Sequence, residues 1–127
     1  MKLTIYGAPR TKKNHGYVAV AGGRKFHMPS KAWQKWEKTA EVFYGGHRLG
    51  PHAWPYPIDS PVNCCAFFYR DRNTGDAVGY YQGLADLLQK RGIVANDKWI
   101  VSWDGSRLRK DKDNPRVEVE LVPVEES

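Results

Sequence analysis

A chain of 127 residues is long enough for one domain with a real core and too short for two well-buried ones. With 41% hydrophobic, 13% aromatic and 27% charged residues, its composition is that of a globular domain, and disorder is not its default. The net charge of +6 is uneven: residues 1–50 carry ten Lys/Arg against two Glu, and residues 51–127 carry ten against twelve Asp/Glu.

That asymmetry suits a basic N-terminal half holding a polyanion over acids from the C-terminal half. It equally describes a solvated basic face with no partner. There is no run of eighteen apolar residues, and the opening MKLTIYGAPRTKK lacks a signal-peptide pattern, so no membrane partner and a cytoplasmic location are expected. The two cysteines, Cys64 and Cys65, are adjacent on an expected strand and so point to opposite faces, which disfavours a disulfide between them.

Leu3 and Ile5 alternate with polar neighbours before Gly7 and Pro9, which predicts a strand over 2–6. The basic loop Arg10-Thr11-Lys12-Lys13-Asn14 follows. A hairpin is then expected from 16–20 and 24–28 across Gly22-Gly23, placing Arg24 and Lys25 beside its turn. Ser30 is a candidate N-cap for a helix over about 30–44, with Trp33, Trp36, Ala40 and Phe43 as its apolar stripe and Gly45-Gly46 as its stop. Lys31, Lys35 and Lys38 lie on another face, toward phosphate or water. The Gly- and Pro-dense 45–60 reads as a surface loop, in which His47 and His52 lack partner carboxylates. PVNCCAFFYR, 61–70, predicts a central strand; further strands are expected at 99–103 and 115–122, joined by a charged connection over 104–114. The fold class is thus α+β: a single domain with a mixed β-sheet and two main helices, about 30–44 and 76–91.

Asp76 opens the second helix, whose stripe is Tyr81, Leu84, Ala85 and Leu88 and whose left-handed stop is Gly92. The helix would be ~22 Å long, and 93–97, if extended, would cover ~17 Å. An antiparallel return would bring Asp97 back near the first turns, where Asp76 and Asp97 would share a divalent ion with Asp86 as third oxygen donor. Clustered carboxylates beside a basic surface suit Mg²⁺ or Mn²⁺ shared with substrate phosphates. On the other reading Asp76 is an ordinary N-cap, Asp97 a turn cap and Asp86 a solvated helix residue.

RTKKN, the Gly-rich hairpin, PSKAWQKWEK, the acid-initiated helix, GIVAND and the closing DGSRLRKDKDNPRVEVEL together resemble the RusA family of Holliday junction resolvases, over nearly the whole chain. The resemblance implies a homodimer that binds branched DNA, the four-way junction, and cuts it symmetrically with Mg²⁺ or Mn²⁺. Asp76 matches the first acid of the family's D-x-D-N motif and Asp97 the acid closing the segment after the helix. Val78, Gly79 and Gln82 stand where the family carries its second acid, its Asn and a helix lysine, and Asp86 or Asp71 are the candidates to replace the missing ligand. The expected DNA contacts are Arg10, Lys12, Lys13 and Asn14, with Arg24 and Lys25 beside them. A non-catalytic branched-DNA-binding protein is the alternative.

Overall fold

A computed structural model describes residues 1–11, 17–28, 30–51 and 54–125, with the backbone alone at 17–19 and 26–28. Lys12, Lys13 and Asn14 lie outside the described residues. The longest strand and the longest helix build the centre. Strand β6 (Val62–Arg70) pairs antiparallel with β9 (Arg116–Pro123) along nearly its whole length. On its other side β6 pairs in parallel with β7 (Ile100–Ser102) and then β8 (Arg107–Lys110). Helix α2 (Ala77–Lys90) makes the crossover between β6 and β7. Beyond β9 the seven-stranded mixed sheet continues through β1 (Lys2–Tyr6), β4 (Glu41–Tyr44) and β5 (His47–Leu49). The hairpin of β2 (Tyr17–Ala21) and β3 (Arg24–Met28) is a separate two-stranded sheet. The architecture is α+β, as the pattern predicts, and among the described residues no helix is long and apolar enough to cross a membrane.

One sheet face is covered and the other is open, which follows from the period of two. Leu3, Ile5, Val62, Cys64, Ala66, Phe68, Val117, Val119 and Leu121 are buried against Trp33, Trp36, Leu84, Leu87 and Leu88 of the helices. Cys65, Phe67 and Tyr69 alternate onto the open face and stay half-buried. The unbroken apolar run of β6 thus serves two faces, only one of which is core. Both cysteines are free, and burial pushes the Cys64 thiol well above its ordinary pKa.

The first helix is shorter than its periodicity predicts. Helix α1 spans Lys31–Thr39, with the Ser30 hydroxyl accepting the Trp33 N–H at 3.1 Å as expected of an N-cap. It ends at Ala40, whose backbone is extended, and 41–44 leave as β4, in register with β1 from Leu3↔Tyr44 to Tyr6↔Glu41. Val42, Phe43 and Tyr44 are β-formers, and their pairing with β1 overrides the helical spacing that Phe43 mimics. Gly45 and Gly46, at φ +57° and +79°, are not a helix stop; they are the two central residues of the β4–β5 hairpin turn. Two stretches expected to be irregular also contain strands: β5 lies within 45–60, and β8 within the charged 104–114.

The β7–β8 edge breaks step with β6 at residues 103–106, and two side chains make good the interruption. The Ser106 hydroxyl accepts the Ala66 N–H at 3.0 Å and donates to the Cys64 carbonyl at 3.1 Å. The Asn63 amide donates to the Asp104 carbonyl, while its oxygen accepts the Asp104 N–H and the Ser102 hydroxyl. So held, Trp103 stacks flat on Tyr81 of α2, ring centroids 4.6 Å apart.

Candidate nucleic-acid interface and acidic residues

Helices α1 and α2 lie side by side with their N-terminal ends at the same end of the molecule. Trp33, early in α1, donates its indole N–H to the Gly83 carbonyl at 3.1 Å, and Arg91, just past α2, donates to the carbonyls of Glu37 and Ala40 at the end of α1. Both positive dipole ends therefore face the same way.

The segment entering the basic loop is seated at this end by two glycines one turn apart on α2. A Cβ on Gly79 would lie 2.9 Å from the Thr11 methyl, and one on Gly83 only 2.7 Å from the Arg10 carbonyl oxygen. Glycine inside a helix costs about 1 kcal/mol relative to alanine; in this fold the two glycines are the groove in which Arg10 and Thr11 lie. A glycine pair at i, i+4 inside an otherwise strong amphipathic pattern is the signal that points to such an approach. It also explains why position 79 is a glycine, since Thr11 and the Asp76 carboxylate occupy the space of any side chain there.

Asp76 is exposed and caps α2, its Oδ1 accepting the Gly79 N–H at 2.8 Å. Gly75 before it adopts φ +85°, and a Cβ there would crowd Thr11 and Tyr80 at 3.0 Å, so the approach to Asp76 favours glycine on conformational grounds and leaves little room for a side chain. The 71–75 loop is tied down through Thr74, whose carbonyl accepts the Tyr80 hydroxyl at 2.7 Å and an Arg70 N–H at 3.2 Å.

Arg10, expected on the DNA backbone, makes a bidentate pair with Asp71 at 2.8 and 3.0 Å. That bond holds the Asp71 carboxyl below the usual carboxylate range and raises the Arg10 guanidinium further above its own. Asp71 is thereby engaged and offers no open carboxylate to an ion. Arg116 of the closing motif is likewise internal, paired with Asp111 and Glu118 and resting 3.9 Å over the Tyr69 ring. Arg24 and Lys25 are exposed on the separate hairpin.

Asp97 does not return to Asp76. After Gly92, at φ +74°, the N–H groups of Ile93 and Val94 both turn back onto the Leu88 carbonyl, and Ala95 bonds to Ile58. The expected extended return is thus taken up by a tight turn. The Asp97 N–H meets the Gln89 side-chain oxygen at 2.8 Å, beside the last turn of α2. Gln89 is about 20 Å along the helix axis from Asp76 at 1.5 Å per residue. Asp97 opens a 3₁₀ turn (Asp97–Trp99), and the chain draws level with Tyr81 only at Trp103. Asp86, half-buried three residues before Gln89, is about 15 Å along the axis from Asp76. The fold therefore separates Asp76 and Asp71 from Asp86 and Asp97. Among the described residues no three His, Cys, Asp or Glu side chains gather as a metal site. The acids of one chain, as arranged here, do not fit the divalent ion that the family resemblance implies. Val78, two residues after Asp76, is 61% exposed.

No protein-family model matches the chain, and no curated protein matches it.

Proposed function

We propose that this chain is a structure-selective protein of the RusA kind that engages four-way junctions or similar branched DNA as a cytoplasmic homodimer, with divalent-metal-dependent endonuclease activity as what the family resemblance adds to that binding. The observation that carries the reading is the packing of Thr11, at the head of the basic RTKKN loop, against Gly75 and Gly79 around Asp76. It brings Arg10 and Thr11, the residues that lead into the basic stretch, to the acid that opens α2, at the end where both helices present their N-termini. A basic loop at that end would draw in a phosphate backbone and lay it beside Asp76.

A second reading has its own support. Asp97 and Asp86 lie toward the far end of α2, and Asp71 is held by Arg10, so a branched-DNA-binding protein without catalysis fits a single chain better than a metal enzyme does. The experiment is cleavage of a synthetic four-way junction with Mg²⁺ or Mn²⁺, using the wild type, Asp76→Asn and Asp97→Asn. Asn is as good an N-cap as Asp, so Asp76→Asn removes charge without removing the cap. Cutting by the wild type that either substitution abolishes, with binding retained, supports the endonuclease. Binding without cutting at any metal concentration selects the second reading. No affinity at about 50 mM salt, where phosphate contacts are strong, defeats both.

A further inference from the structure

Between the starts of α1 and α2 lies a cleft of about 160 Å³, lined chiefly by Arg10, Thr11, Ser30, Arg72, Thr74 and Gly75. We infer that it is a phosphate-holding site that takes one phosphodiester group of the DNA backbone and sets the strand against Asp76. The inference rests on the DNA reading above and deepens it.

Four observations carry it. Thr11 is only 8% exposed; its carbonyl accepts the Ser30 hydroxyl, its methyl faces α2, and its own hydroxyl has no hydrogen-bond partner among the described residues. The residue is buried but its hydroxyl is not sealed off, so in the wall of a polar cleft it stands open to an acceptor from outside. Arg72 is exposed at the same cleft and, among the described residues, has neither an ion pair nor a hydrogen bond. Two helix starts meet there: Ser30 caps Trp33 and Asp76 caps Gly79, which leaves other first-turn N–H groups without intrahelical partners. Finally, among the described residues no acid lines the cleft; Asp71 is outside it and paired with Arg10, with Arg72 adding a weaker attraction, so the described lining suits an anion and not a cation. The space has room for several waters, enough for a phosphate group with part of its hydration.

The test is an amide NMR titration with three probes: the dinucleotide dTpdT, whose only phosphate is an internal phosphodiester, 5′-thymidine monophosphate, and inorganic phosphate. Shifts at Ala32, Thr74 and Gly75 with dTpdT, lost in Arg72→Ala and in the near-isosteric Thr11→Val while the rest of each spectrum is unchanged, support the site. For junction DNA, Arg72→Ala should lower the slope of log affinity against log salt by about one, as for one lost phosphate contact. Thr11→Val should weaken binding with the slope unchanged. No cleft shifts with any probe would overturn the inference even if junction binding persists. Shifts with the monophosphate or inorganic phosphate but none with dTpdT would overturn the assignment to the DNA backbone. Cleft shifts in a protein that binds no junction would defeat the DNA reading and with it the phosphodiester assignment.

Discussion

The carbonyl oxygen of Arg10 lies 2.7 Å from where a Cβ on Gly83 would stand, so the start of the basic loop and the middle of α2 are in backbone contact. In an open helix Gly→Ala gains up to about 1 kcal/mol. Here the methyl must displace backbone, and overpacking of this kind costs about 1–3 kcal/mol. Gly83→Ala should therefore lower the urea midpoint despite its better helix propensity. A raised midpoint would show that the Arg10 segment is not held against α2.

The Arg10–Asp71 pair makes stability depend on acid. The Asp71 pKa is depressed in the folded state, so its contribution is fully present above the unfolded value of about 3.9 and is lost as pH falls through the folded one. Asp71→Asn should accordingly be less stable than wild type at pH 7. The difference should shrink below about pH 4, as followed by urea denaturation across pH. A difference independent of pH would mean that the pair contributes through shape and not charge.

Ser106 is 7% exposed and its hydroxyl serves both Ala66 N–H and Cys64 C=O where the sheet edge breaks step. Ser106→Ala should leave those two groups without their side-chain partner and cost about 1–3 kcal/mol in chemical denaturation. Faster hydrogen exchange at the Ala66 amide should accompany it.

Arg91 closes the C-terminal end of α1 by donating to the Glu37 and Ala40 carbonyls from a buried position. Hydrogen bonds from a charged donor contribute about 1.5–3 kcal/mol each in favourable sites. Arg91→Met should destabilise by a few kcal/mol, and Arg91→Lys should recover only part of that, because a single ammonium does not reproduce the planar fork. Full recovery by Lys would show that charge alone is what matters there.

Local signals were legible where one residue controls its own neighbourhood. Ser30 and Asp76 cap their helices, Gly92 stops α2, Gly22 and Gly23 turn the first hairpin, and the alternation along 116–122 places Val117, Val119 and Leu121 inward. Misreadings fall where a distant partner decides. The spacing of Ala40 and Phe43 fits a helix until β1 offers Glu41–Tyr44 a strand to pair with. Arg107–Lys110 looks like a charged connection until β6 lends it a parallel neighbour, since backbone pairing makes few demands on side chains at an edge.

By itself the sequence determined the fold class, the caps, the apolar faces and the presence of a basic loop and an acid-capped helix. These follow from propensity, period and charge, which are properties of neighbours along the chain. Only the tertiary structure decided that Arg10 pairs with Asp71, that Gly79 and Gly83 seat Arg10 and Thr11 at the Asp76 end, and that Asp97 stays by Gln89. Chain lengths set how far Asp97 can reach. Where it goes is set by the hydrogen bonds that fold 93–95 back onto Leu88 and Ile58, and these exist only once the helix and the sheet are packed together.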